Sequence, residues 1–467
     1  MPAISVSLRT TIKILIGILV FWSLERFLAS PLFYEDRSFT RGFFGAFVFD
    51  RNGLNLSQVA AVILLTISSL MALLVTRIRR ARGEYYLAWT CLSLLLLFLA
   101  GSENIRLIEK FEEVVKPTLP FREFFTESWI VLYAIAVLMT AALMVNFFRS
   151  LNNRIRLPLI AGFILFFLSE IAFEAFISSL FGETDKRPFL IEVYYATFIQ
   201  DIVRFAGISV LLVALFRHLI ELCRTSPSTM PDTALLPIVP GKVFRLQMTV
   251  IYVVCVAHCL TIIYQFFFFS PEELPEAAQL FNFYYEANVP TIYSSMAIYL
   301  SAILLFFIAT NHDGLDAVYW ALLGLIFIFL GVDETFQLHE KTGDYFRHNH
   351  TALIGVVVYP WLVTYAIAAS VFLLVYLRFL FRLPREIAWL FVLSGSIFVL
   401  GAMGMEWLGG MIWKDSEDGA GYSTMAVYSI SYTVEEFLEM LGIALFIYTL
   451  LKYIRLHLGF ATLRFEN

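Results

Sequence analysis

Charge is scarce in this chain. Lys, Arg, Asp and Glu make up 15% of its 467 residues, against about a quarter in a soluble domain. Histidine occurs seven times and cysteine four. Cys91, Cys223, Cys255 and Cys259 stand in apolar surroundings and are too few for a disulfide framework. The signatures of soluble catalytic sites are missing too: no phosphate-cradling glycine loop, no G-x-S-x-G and no H-E-x-x-H. Histidine-box chemistry needs many intramembrane histidines, and only His258 and His339 qualify. The Glu-x-x-His spacing of carboxylate di-iron helices is absent. No feature points to nucleic acid.

Apolar residues fill the space. They account for 60% of the chain, with 47 phenylalanines and a mean hydropathy of +0.78. Repeated apolar runs close to the roughly 20 residues needed to cross a bilayer define an all-α polytopic membrane protein. Twelve spans are expected, at 12–30, 55–76, 85–104, 128–148, 157–180 and 195–217, then 246–269, 290–310, 317–337, 352–377, 386–408 and 423–451. Arg9 and Lys13 before Ile14–Trp22 resemble the start of a signal peptide, but no small-residue cleavage site follows, so this segment counts as the first span. Residues 224–241 hold four prolines (Pro227, Pro231, Pro237, Pro240) and read as a cytoplasmic linker between halves 1–223 and 242–467.

Basic residues set the expected orientation. Arg77, Arg79, Arg80 and Arg82 follow span 2; Arg149, Arg154 and Arg156 follow span 4; Arg378, Arg382 and Arg385 follow span 10. These loops, and with them both termini, fall on the cytoplasmic side. Acidic loops carrying Glu272, Glu273, Glu276, Asp415, Glu417 and Asp418 fall on the other. The plasma membrane, a bacterial inner membrane, is the expected location.

The two halves read as parallel six-helix repeats. A-G-S-E-N-I-R-L-I-E-K at 100–110 and G-V-D-E-T-F-Q-L-H-E-K at 331–341 both close a long apolar run. Glu103 pairs with Glu334, Glu109 with Glu340 and Lys110 with Lys341. Trp89 pairs with Trp320, Trp129 with Trp361, and Tyr133–Ala136 with Tyr365–Ala368. Glu174 pairs with Glu406, Asp201 with Glu436, and Gly207 with Gly442. Six spans per unit is an even number, so both copies insert the same way round. The six-plus-six plan superficially resembles that of major facilitator transporters. The loop after span 2, R-I-R-R-A-R-G, does not match their G-x-x-x-D-R-x-G-R-R pattern, and that family is not assigned.

Acids within spans mark the candidate site, because each costs about 2.5–3.5 kcal/mol to insert. In span 12, Glu435, Glu436 and Glu439 share one helical face with Tyr432. Three ionised carboxylates there would repel one another, so some hold protons or a cation sits among them. Glu334 and Glu406 end spans 9 and 11 on the same outer side and are expected to join them. Asp333, Gln337 and Glu340 form a stripe, and His339 points about 120° away from it unless the helix breaks. In the first half Glu103, Glu174 and Asp201 are the counterparts. Ser102, Ile108, Gln200 and Arg204 replace Asp333, His339, Glu435 and Glu439. Glu170 has no counterpart, since Ala402 takes its place, and Asp201 with Arg204 at i+3 reads as a neutralised pair. The main site is therefore expected in the second half.

The plainer reading is that acids near a membrane interface are solvated or paired with loop cations. Cys255-x-x-His258-Cys259 has two ligands on one face but no second pair nearby, and isolated cysteines of apolar helices usually pack. His348 and His350 belong to an outer loop.

Three functions fit these residues. The leading one is a transporter that couples movement of an unidentified small molecule, ion or lipid to protons, Na⁺ or a hard divalent cation, for which oxygen-only ligands are suited. The second is a membrane-embedded, metal-dependent or acid/base enzyme acting on a lipid-linked substrate. The third is a non-catalytic scaffold subunit whose acids pair with a partner.

Overall fold

The computed structural model describes residues 3–20, 56–105, 128–173, 190–224, 235–237, 239–268, 276–285, 288–339, 360–414, 422–459 and 462–466. Helix dominates, as a bilayer requires of any segment that must satisfy its own backbone hydrogen bonds. Among the described residues eight helices are long and apolar enough to cross a membrane: Ala60–Ala81, Ala196–Cys223, Pro240–Phe267, Val289–Ala309, Gly314–Thr335, Trp361–Leu380, Arg385–Ile412 and Thr424–Leu456. A shorter apolar helix covers Leu87–Glu103. Of the remaining expected spans, the first is described as helix only over residues 8–20, and 174–180 lies outside the described residues. Bulky apolar side chains face outward, among them Phe267 (77% exposed), Leu374 (74%) and Phe381 (81%). Such surfaces suit lipid, and this is an integral membrane protein.

The chain divides into two compact units. The N-terminal unit comprises Ala3–Leu236 with Thr462–Asn467. Its helices are α1 (Leu56–Ala81), α2 (Leu87–Ile105), α3 (Ser128–Ser150), α4 (Asn153–Phe167) and α5 (Leu190–Arg224), with a π-helical turn at Leu168–Phe173 after α4. A small sheet joins β1 (Ala3–Ser7), β2 (Leu235–Pro237) and β3 (Thr462–Glu466) in the order β1-β3-β2, with β1 and β3 parallel. Helices α1 and α2 are tied by a reciprocal serine pair: Ser69 Oγ donates to Ser93 O at 2.7 Å, and Ser93 Oγ to Ser69 O at 2.9 Å. Trp89 is buried between Phe147, edge-on at 5.0 Å, and His218, stacked at 4.6 Å. Helices α4 and α5 meet backbone to backbone at Gly207, where a Cβ would lie 2.7 Å from Phe166 N and 2.9 Å from Gly162 O. Only glycine permits that approach.

The C-terminal unit spans Pro237–Ala461. It contains α6 (Pro240–Phe268), α7 (Val289–Ala309), α8 (Gly314–Phe336), α9 (Pro360–Leu380), α10 (Arg385–Val399), a π-helical turn at Leu400–Met405, α11 (Glu406–Lys414) and α12 (Tyr422–Leu456). Trp320 is buried, with Phe379 edge-on at 5.1 Å and Tyr453 at 5.0 Å. A Cβ on Gly442 of α12 would lie 2.8 Å from Phe398 N of α10. Asn288 caps α7, accepting from Thr291 N at 3.0 Å. Gly331 of α8 admits the Tyr299 ring of α7, 2.6 Å from where its Cβ would be, and Tyr299 Oη meets Thr335 Oγ1 at 3.2 Å.

Candidate functional site: an intramembrane carboxylate cluster

The acids of α12 and α11 meet. Glu435 shares a hydrogen bond with Glu406, and the strongest charges acting on it come from Glu406, Glu439 and Glu436, all carboxyls. A hydrogen bond between two carboxyl groups requires a proton on one of them. The π-helical turn at Leu400–Met405 delivers Glu406 to this place, an irregularity often found at functional sites. Gly401 lets that turn lie against α12, since a Cβ there would stand 2.9 Å from Glu435 O and 3.0 Å from Glu439 Cγ. Glu436 also acts on the Cys255 thiol of α6, and Glu334 on the Tyr299 phenol of α7. Among the described residues no group of three or more His, Cys, Asp and Glu side chains is arranged to hold a metal ion.

At the end of α8 the helix does break. Gln337 adopts the left-handed conformation, φ 54° and ψ 44°, and ends α8. His339 N–H then donates to Asp333 Oδ1 at 2.8 Å, and its ring Nδ1 lies 3.4 Å from the same oxygen. The Tyr365 hydroxyl of α9 also hydrogen-bonds Asp333, and the His339 ring rests 4.9 Å from Trp361. A continuous helix would have pointed His339 away; the break makes it a partner of Asp333. Glu340, the other expected partner, lies outside the described residues.

Tyrosines line α12 beside the acids. Tyr428, Tyr432, Glu435 and Glu439 fall within about 60° of arc on a helix turning roughly 100° per residue. The rings of Tyr428 and Tyr432 are 5.5 Å apart and inclined at 76°. Tyr284 approaches both, at 6.2 and 5.7 Å. Only Tyr432 was named from sequence; the i, i+4, i+7, i+11 stripe starting at Tyr428 was legible there and missed. His258 fixes this corner. Phe283 N–H donates to its Nδ1 at 3.2 Å, which leaves its proton on Nε2, 2.8 Å from Thr433 Oγ1. With both ring nitrogens engaged, His258 is a structural clasp. Neighbouring Cys255 and Cys259 are free thiols.

In the N-terminal unit the acids surround an arginine. Arg204 Nε lies 2.7 Å from Glu170, and its Nη1 lies 3.5 Å from Asp201 and 3.7 Å from Glu103. Glu103, Asp201 and Arg204 are buried, and Glu103 also hydrogen-bonds Glu170. Gln200 Nε2 donates to Ser169 O at 3.2 Å. The i+3 pair expected from sequence is thus one edge of a four-residue cluster. Glu174 lies outside the described residues.

Apolar spanning helices with acids held inside them define a helical integral membrane protein. A family model described as a domain of unknown function, DUF8692, matches residues 14–219 and 249–453, and the chain belongs to that family. No curated protein and no solved structure matches it.

Proposed function

We propose that the protein is a proton-coupled transporter of two parallel repeats, in which the Glu406–Glu435 pair carries the proton. The observation behind this reading is the hydrogen bond between these two carboxyls inside membrane-spanning helices, with Glu436 and Glu439 acting on it. The pair shares one proton when closed and releases it when a competing positive charge or water reaches the site. Keeping four acids in the apolar part of a membrane is costly without such a use. In this reading the coupling ion is the proton rather than a hard divalent metal, and the site opens to the outer side of a plasma membrane.

Internal contacts support the duplication. Phe166 N against Gly207 and Phe398 N against Gly442 are the same approach, 2.7 and 2.8 Å. Trp89–Phe147 and Trp320–Phe379 both cross at 89°. The π-helical turns Leu168–Phe173 and Leu400–Met405 start and end 232 residues apart. By this correspondence Glu334 takes the place of Glu103, and Glu439 that of Arg204.

Pulsed pH steps on liposomes adsorbed to a solid-supported membrane test the proposal without knowledge of the substrate. Wild-type protein should give a transient proton-binding current that Glu435→Gln abolishes. Infrared spectra should show a protonated-carboxyl band in wild type minus Glu435→Gln. A wild-type protein without that band or current is not a proton-coupled transporter working through this pair.

A further inference from the structure

We propose that the basic end of α1 holds the phosphodiester of an anionic phospholipid between Arg77 and Arg80, with an acyl chain along Leu70 and Leu73. The inference goes beyond the transport reading and does not rest on it. Two observations carry it.

The first is one stripe of α1 that the protein leaves uncovered. Leu70 (50% exposed), Leu73 (44%), Arg77 and Arg80 follow one another along the helix, and both arginines are exposed. Turning about 100° per residue, these four positions fall within roughly 80° of arc. Apolar side chains give way to guanidiniums along this face as acyl chains give way to headgroups in a leaflet. The Arg80 guanidinium lies 5.6 Å from the centre of the Tyr86 ring, which steadies it. Tyr85, beside it, is exposed at the same end, where tyrosines favour the headgroup level. Arg77 and Arg80 are neighbours on the helix surface, and each guanidinium offers paired N–H donors to phosphate oxygens.

The second is the division of labour among the arginines of this turn. Arg79 and Arg82 are engaged inside the protein. The Glu84 carboxylate lies 3.2 Å from Arg79 Nη1 and 3.8 Å from Arg82 Nη1. Arg82 Nη2 also donates to Leu222 O of α5 at 2.7 Å. Among the described residues no carboxylate pairs with Arg77 or Arg80. In the proposed duplication residues 77–82 correspond to 308–313, a stretch with no Lys or Arg. A turn on that side therefore needs no arginine for insertion, which leaves Arg77 and Arg80 in excess. Two unpaired guanidiniums above a leucine stripe match a phosphate that brings no cation of its own. A choline headgroup carries its own positive charge and is repelled by them. A soluble anion makes no use of the leucines.

Native mass spectrometry of the full chain in a nonionic detergent, titrated with dioleoyl phosphatidylglycerol or dioleoyl phosphatidylcholine, tests this. The first phosphatidylglycerol should bind at least about tenfold more tightly than the first phosphatidylcholine, since each arginine near an anionic lipid contributes about fivefold. Arg77→Gln/Arg80→Gln should bring the two lipids within about twofold of each other. Arg77→Lys/Arg80→Lys keeps both charges and should keep most of the preference. Arg149→Gln/Arg154→Gln removes the same charge from the turn between α3 and α4 and should leave the preference intact. If the first glutamine pair does not fold, Arg77→Gln alone should still lose about threefold. Equal binding of the two lipids by wild type, an equal loss from Arg149→Gln/Arg154→Gln, or displacement of the lipid by inorganic phosphate overturns the proposal. The infrared band of the carboxyl pair is read separately, so neither result decides the other.

Discussion

The N-terminal unit closes its buried acids on a cation of its own, and the C-terminal unit closes its acids on each other. Arg204 lies within 3.7 Å of Glu103, Glu170 and Asp201, whereas the strongest neighbours of Glu435 are three further carboxyls. A buried ion pair gains stability only as a complete set, because removing one partner strands the others in a medium that cannot solvate them. A carboxyl cluster, by contrast, is relieved of repulsion by a proton held between its members or by a cation among them. If the proposed duplication holds, the same helical frame carries one site locked by its own cation and one open to exchange, and the difference lies largely at the position of Arg204 and Glu439.

The strongest way to break this comparison is to remove the arginine. Arg204→Gln should cost about 3–5 kcal/mol, the usual penalty for breaking a buried pair. Glu439→Gln should leave stability unchanged or raise it, since it removes one of several like charges. Unfolding in mild detergent would show both, and equal losses from the two variants would end the distinction. Next come the glycines. Gly207→Ala and Gly442→Ala force a Cβ to within 2.7 and 2.8 Å of backbone nitrogens, and each should cost about 1–3 kcal/mol. Similar penalties, measured by melting temperature, would strengthen the duplication; a tolerated alanine in one unit would weaken it.

Smaller effects sharpen the contrast. Glu435→Gln preserves shape and keeps a donor for Glu406, so stability should move by less than about 1 kcal/mol while the pH-step current disappears. A large loss of stability with the current retained would make Glu435 structural. At the end of α8, Gln337→Gly relieves a left-handed residue and should stabilise by about 0.5–1 kcal/mol. An unchanged melting temperature would mean that the turn is held by the Asp333–His339 contacts alone.

Much of the candidate site was readable in the sequence. Glu435, Glu436, Glu439 and Tyr432 share a face by helical periodicity alone, and Glu406, at the end of span 11, was expected to join them from the same outer side. The reach of Arg204 across to Glu103 and Glu170 was not readable, because it joins α5 to α2 and to the turn after α4. Nor was the turn at Gln337: no glycine or proline announces it, and helical geometry alone sent His339 the wrong way. Tyr284 was invisible for a similar reason, as its approach to α12 depends on the His258 clasp.

The amino-acid sequence by itself determined that this chain lives in a membrane. Runs of apolar residues leave helix as the fold available in lipid, and acids set within those runs are too costly to be incidental. Which acids became partners was decided only by tertiary packing. Hydrogen bonds and ion pairs form only when their groups come within a few ångströms, and those distances are set by π-helical turns, glycine contacts and one left-handed glutamine.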